Sequence, residues 1–317
     1  MEPFQSDFLT QYKAISAKLK KRFLRKPNIS EASAQFAKLA KELENRECPH
    51  YSAFCCLAVA RCEHTIGNPV YESQNLLHAA RLFLEAEKLS HELLCPSYSE
   101  HLQAALNAYR DCIKVHLDSD QPALAASLYL EIGQSLRNLG RIKESIPYFI
   151  KAAELHRSCS LSYISDMKEV SNCRIVTGDY DGALKALTEI QVISEKEGLK
   201  ENGERIGAYA EILNEVEVTR FLLLLLLQPP KYKMNPEHAK LLDRYANMDI
   251  DPVDYIEEDL YLLLQSLMIA VEERNESALL HLEKDIWRKL NGLQNNILNQ
   301  ILQKYRDFSL ILPIEKT

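Results

Sequence analysis

The segment Ala126–Leu155, ASLYLEIGQSLRNLGRIKESIPYFIKAAEL, constrains the fold more than any other stretch of the chain. Tyr129, Ile132, Gly133 and Leu136 recur at helical spacing, and Gly140 interrupts the pattern. Beyond that glycine, Ser145, Phe149 and Ala152 follow at steps of four and three, which places them on one face of a second helix. Small residues let two antiparallel helices approach closely, and the large ones fill the gaps between turns. The same slots return 38 residues later in GDYDGALKALTEI, where Gly178, Tyr180, Ala183 and Leu187 take the turn, aromatic, small and large positions. LHAARLFLEAEKL (Leu77–Leu89) is a more divergent copy, with Ala80 and Phe83 in place.

This is the tetratricopeptide pattern of about 34 residues. Ser145 in place of alanine and Pro147 inside the second helix depart from it. The expectation is an all-α, tetratricopeptide-like α-solenoid of about 12–14 antiparallel helices with irregular repeats, forming a single domain over 1–317. Only nine glycines occur in 317 residues, too few for the turns of a sheet protein of this size. The first helix is expected from about Ser6 to Arg25, with Phe8, Tyr12, Ile15, Leu19 and Phe23 as its apolar stripe. Pro49, the Gly67-Asn68-Pro69 turn, Pro96 and Pro122 punctuate the helices that follow, two of them expected from about Tyr51 and Glu72. The charged, glycine-containing stretch 196–205 reads as an exposed loop, and 306–317 as a flexible tail.

The formal net charge of −7 argues against a general nucleic-acid binder, since such domains are usually basic. The start, MEPFQSDFLTQYK, lacks the apolar core of an export signal. The longest apolar run, Phe221–Leu227, is seven residues, far short of the length that spans a bilayer, so direct membrane insertion is not expected. The eight cysteines form no C-x-x-C pair and have no zinc-finger spacing to histidine, so they read as reduced, mostly buried thiols of a cytosolic or nuclear protein. No phosphate-binding glycine loop, H-E-x-x-H or G-x-S-x-G motif occurs, and no cofactor or metal is expected. A non-enzymatic chain is the expectation.

Two stretches are candidate partner-binding sites. The basic run KLKKRFLRK holds Lys18, Lys20, Lys21, Arg22, Arg25 and Lys26 with Leu19, Phe23 and Leu24 interleaved. It reads either as a solvated helix face or as a contact for an acidic protein partner, with an anionic membrane or nuclear import as further readings. The leucine run Leu222–Leu227 is apolar on every face of a helix, so it is either core or, through Leu223, Leu226 and Leu227, a partner groove. The acidic stretch Asp249, Asp251, Asp254, Glu257, Glu258 and Asp259 lacks the glycine of a calcium loop and reads as a loop leading into a negative helix start. The amides between Asn291 and Gln303 are expected to be solvated, and Trp287 to be core. Asn138 and Asn172 alone do not make a chaperone-tail clamp.

KLKKRFLRKPNISEA, EVTRFLLLLLLQPPKYKMNPEHAKLL, AARLFLEAEKL, DYDGALKALTEIQ and EEDLYLLLQSLMIA resemble the family of forty-kilodalton huntingtin-associated proteins, from about Asp7 to Leu298. The family carries a long proline-rich insertion before the leucine-run helix, where this chain has only Lys196–Arg205. The resemblance implies a non-enzymatic helical subunit that binds huntingtin as a 1:1 complex between its HEAT-repeat arms and stabilises them. It also implies a cytoplasmic protein that associates with early endosomes through an active Rab-type GTPase, shifting them from microtubule to actin tracks. Entry into the nucleus is a further expectation. The alternative is a free-standing vesicle-trafficking adaptor, similar to the soluble NSF-attachment type, that acts without huntingtin.

Overall fold

The computed structural model describes residues 7–19, 28–96, 98–199, 205–230, 232, 234–247 and 253–311, with side chains to 305. Fourteen helices and no strands occur among the described residues, which is the all-α solenoid class. They are α1 (Phe8–Leu19), α2 (Ile29–Glu44), α3 (Pro49–Ile66), α4 (Pro69–Glu92), α5 (Glu100–Asp118), α6 (Pro122–Asn138) and α7 (Ile142–Leu155). Then come α8 (Ser160–Val176), α9 (Tyr180–Glu197), α10 (Gly207–Leu227), α11 (Pro236–Ala246), α12 (Glu258–Glu272), α13 (Glu276–Trp287) and α14 (Gly292–Ile311). The chain divides into two compact units, Met1–Asp166 and Met167–Thr317.

In the first unit, successive helices from α1 to α7 pack on their sequence neighbours through small residues. Ala53, Ala79, Ala80, Ala105, Cys55 and Cys112 are fully buried between them. Gly133 shows why the repeat needs its glycine: a Cβ there would meet the Phe149 ring at 2.7 Å. Ser145 and Ala152, also buried, complete that close face. Ser145 turns its hydroxyl back to donate to Ile142 O at 2.7 Å, so serine is accommodated where the pattern wants alanine. Gly67, Gly140 and Gly178 end their helices in the left-handed region (φ +84°, +75° and +80°), which a side chain would oppose.

Pro49, Pro69, Pro122 and Pro236 are first residues of helices, not breaks before them. Proline's missing N–H is unbonded in a first turn anyway, so α3 and α4 begin earlier than Tyr51 and Glu72. Asn28, Asn68, Asp179 and Asn275 cap their helices through side-chain oxygens.

Helix α9 runs through Glu197, closed by the Gly198 N–H donating to Ser194 O at 2.9 Å. The expected loop therefore starts later than 196. Leu199 and Arg205 form an isolated antiparallel bridge, and 200–204 lie outside the described residues. The expected tail is helical as far as Ile311, and 312–317 lie outside the described residues.

In the second unit α10 is the central element. It packs on α9, α11 and α14, and Val216–Leu225 are buried without interruption. No described helix is long and apolar enough to cross a membrane.

Candidate partner-binding surface

Helix α1 lays its stripe on α2 and α3. Phe8 meets the Tyr51 ring at 4.6 Å and Tyr12 meets Phe36 at 5.1 Å between centroids. Lys18 is exposed but held within the chain, 3.1 Å from Glu31 and 2.8 Å from Gln35. Lys20, Lys21, Arg22, Phe23, Arg25 and Lys26 lie outside the described residues.

The leucine run divides. Leu223 is 0% exposed and offers nothing to a partner in this conformation, a correction to its place among the candidates. It is core because α10 is covered on several sides. Leu226 and Leu227 are half-buried. Beside them Leu224, Leu225, Met234, Leu242, Met268 and Val271 line a cavity of about 450 Å³, with Asp243 and Glu272 also in its wall.

All-round burial forces charges inward as well. Glu217 and Arg220 are each 1% exposed. Glu217 accepts from Arg244 (2.9 Å to each carboxylate oxygen), from Tyr245 Oη (3.0 Å) and from Tyr255 Oη (2.6 Å). Burial, then the Glu217 charge, pushes the hydroxyl pKa of Tyr245 and Tyr255 upward. Arg220 lacks hydrogen-bond partners at Nε and Nη2, and burial holds its pKa below the usual value. His238, nearby on α11, is lowered first by burial and then by Arg220.

Three residues of the acidic stretch are used internally. Asp254 pairs with Arg205 at 3.2 Å, and Glu257 and Asp259 pair with Lys289 at 2.9 and 3.5 Å. Asp249 and Asp251 lie outside the described residues. Two of the amides are not solvated: Gln294 donates to Glu215 O and Thr219 Oγ1, and Asn295 to Trp287 O and Leu290 O. Trp287 is 42% exposed, against the expectation of core. Its neighbour Ile286 takes the inward position, and adjacent helical residues point about 100° apart.

Sequence reading missed three strongly exposed apolar residues. Leu93, Leu94 and Tyr98 stand in the turn after α4, Leu94 at 86% and Tyr98 at 99% exposure. On the first unit, Val70 and Leu124 line a second cavity of about 740 Å³ with Pro69, Val115 and Ser119, and Tyr71 and Leu117 are exposed in the same two turn regions. The signal was present: apolar residues beside helix-ending turns have no facing helix to cover them. These exposed apolar groups are the candidates for partner contact. Five of the eight cysteines are buried, Cys48 is intermediate, and Cys95 and Cys159 are exposed.

Fold and surface together define a helical-repeat protein with apolar side chains exposed at its turns. No family model matches the chain. It is 36% identical to the 40-kDa huntingtin-associated proteins of Rattus norvegicus and Mus musculus, over 94% of this chain and 92% of each relative. The chain belongs to that family. The alignment covers 352 residues, longer than this 317-residue chain, so the relatives carry residues that it lacks. Among solved structures, a circular tandem repeat protein is similar over 95% of this chain and 75% of its own, at TM-score 0.43 and 14% identity.

Proposed function

We propose that this chain is a non-enzymatic binding partner of huntingtin. The observation that carries the reading is its near full-length similarity to proteins named for that association. We further propose that it forms a 1:1 complex, held between the HEAT-repeat arms and stabilising them, in the cytoplasm. Early-endosome association through a Rab-type GTPase, and entry into the nucleus, belong to the same proposal. On the first unit Leu93, Leu94 and Tyr98, and on the second Trp287, are exposed apolar groups suited to partner contact. The basic run, with Lys21, Arg22 and Arg25, supplies charge for an acidic partner.

The test is co-expression with huntingtin followed by size-exclusion chromatography with light scattering. A one-to-one peak that persists at high salt is expected, because an apolar interface is not screened. Two separate peaks would sink the proposal and leave the free-standing trafficking adaptor as the better account. Glu substitutions at Lys21, Arg22 and Arg25 are expected to weaken the complex, and unchanged co-purification removes the role given to the basic run.

A further inference from the structure

Three helices of the first unit bring a carboxylate, a thiol and an imidazole together. Glu44 closes α2, Ser52 and Cys56 lie one turn apart on α3, and His78 faces them from α4. The Glu44 Oε1 atom accepts from Ser52 Oγ at 3.0 Å and lies 2.9 Å from His78 Nε2. The carboxylate oxygen, the Cys56 sulfur and the imidazole nitrogen all lie within 4.8 Å of one another. Cys56 is buried, Glu44 half-buried and His78 exposed, so the group has a closed floor and an open mouth.

We propose that Glu44, Cys56 and His78 form a zinc-binding site that ties α2, α3 and α4 together. The donor set selects the ion. Thiolate, imidazole and carboxylate are zinc ligands, whereas calcium and magnesium take oxygen. One thiolate and one carboxylate balance the two positive charges, and a neutral imidazole adds none. The site is thus uncharged where it meets the helix interior. Zinc bonds of about 2.0–2.3 Å in tetrahedral array put donors about 3.3–3.7 Å apart. Reaching that spacing from the present separations, 2.9 Å between Glu44 and His78 and up to 4.8 Å within the group, requires shifts of about 1 Å. The open mouth leaves the fourth position to water. Ser52 Oγ lies 3.0 Å from both Ala40 O and the Glu44 carboxylate. In the metal-bound site its single proton goes to Glu44 and holds the carboxylate from behind, as outer ligands do in metal sites.

Without an ion the thiol keeps its proton at neutral pH: burial, then the Glu44 charge, pushes Cys56 up to about 12. Coordination forms the zinc–sulfur bond and releases the thiol proton to solvent. The ligands are separated by 12 and 22 positions in sequence. A search for closely spaced cysteine and histidine pairs does not see a site assembled from three helices.

The experiment uses the full chain, stripped with chelator and titrated with cobalt(II) at pH 8, then with zinc by calorimetry. One ion per chain is expected, with a thiolate-to-cobalt charge-transfer band and a raised thermal midpoint. Cys56→Ser should abolish the band. His78→Ala, at an exposed position that leaves folding intact, should weaken binding by about tenfold or more and remove the thermal shift. Absence of the band in the wild type shows a hydrogen-bonded cluster only and overturns the proposal. So does a band of full strength in both variants, which assigns the ion to other cysteines. If Cys56→Ser does not fold, His78→Ala alone decides.

Discussion

The first unit brings its helices together with small residues, and the second surrounds one helix and must bury charge to do so. Between α6 and α7 the contact is Gly133 against Phe149, with Ser145 and Ala152 beside it. An interhelix ion pair in this unit, Arg81 to Glu131 at 2.7 and 2.9 Å, keeps Arg81 more than half exposed. In the second unit Glu217 collects three donors, while Arg220 lies buried with Nε and Nη2 lacking hydrogen-bond partners. The difference follows from geometry. A hairpin helix in a repeat keeps one face in water, where most charged residues go. Where the first unit does bury acids, Glu87 and Asp166, each is held by a neighbour, the Leu102 N–H and His156 respectively. Helix α10 has no such face over Val216–Leu225, so any charge its sequence carries there is desolvated and needs a partner.

The contrast is broken most forcefully at Glu217. Glu217→Ala removes the acceptor of Arg244, Tyr245 and Tyr255 and leaves only Glu237 and Glu195 to offset the Arg220 charge. A loss of about 3–5 kcal/mol is expected from urea denaturation, and a loss below about 1 kcal/mol would show that the network does not hold the second unit. Gly133→Val tests the first unit. The added side chain must displace a buried ring, and a loss of about 2 kcal/mol is expected in thermal unfolding. An unchanged midpoint would mean that the close approach is not needed.

His238 gives a smaller, pH-dependent effect. Its folded pKa lies below the unfolded value of about 6.5, so the unfolded chain binds the proton more readily. The contribution is complete above that value and is lost as pH falls through it toward the folded pKa. His238→Gln should flatten the stability curve on the acid side of pH 6.5, and an identical curve refutes the role. Arg220→Met has the smallest expected effect, near zero or slightly stabilising, because a buried cation lacking partners at two donor atoms gives up little when replaced by an apolar side chain. A loss of several kcal/mol would assign Arg220 a structural role.

Much of this was legible in the residues, for identifiable reasons. The Gly133–Phe149 contact follows from a repeat whose spacing encodes a steric fit. Full burial of Leu222–Leu225 follows from apolar residues on every helical face. What spacing cannot carry is identity of partners. Nothing in EVEVTR says that Glu217 will meet residues 27–38 positions away. Residue type alone puts Trp287 in the core, whereas the inward position falls to its neighbour Ile286. Gln294 and Asn295 are solvent groups by type, yet from the first turn of α14 they donate to backbone carbonyls of α10 and of the end of α13.

The burial of α10 also sets an order on the ribosome. The leucine run is synthesised before α11 and α14, which cover it. At about 5–20 residues per second, the chain between Leu227 and the middle of α14 takes about 4–15 s to make. During that interval the greasiest turn of the protein waits for its cover, and it is there that a nascent chain of this family is most exposed to chaperones or to its neighbours.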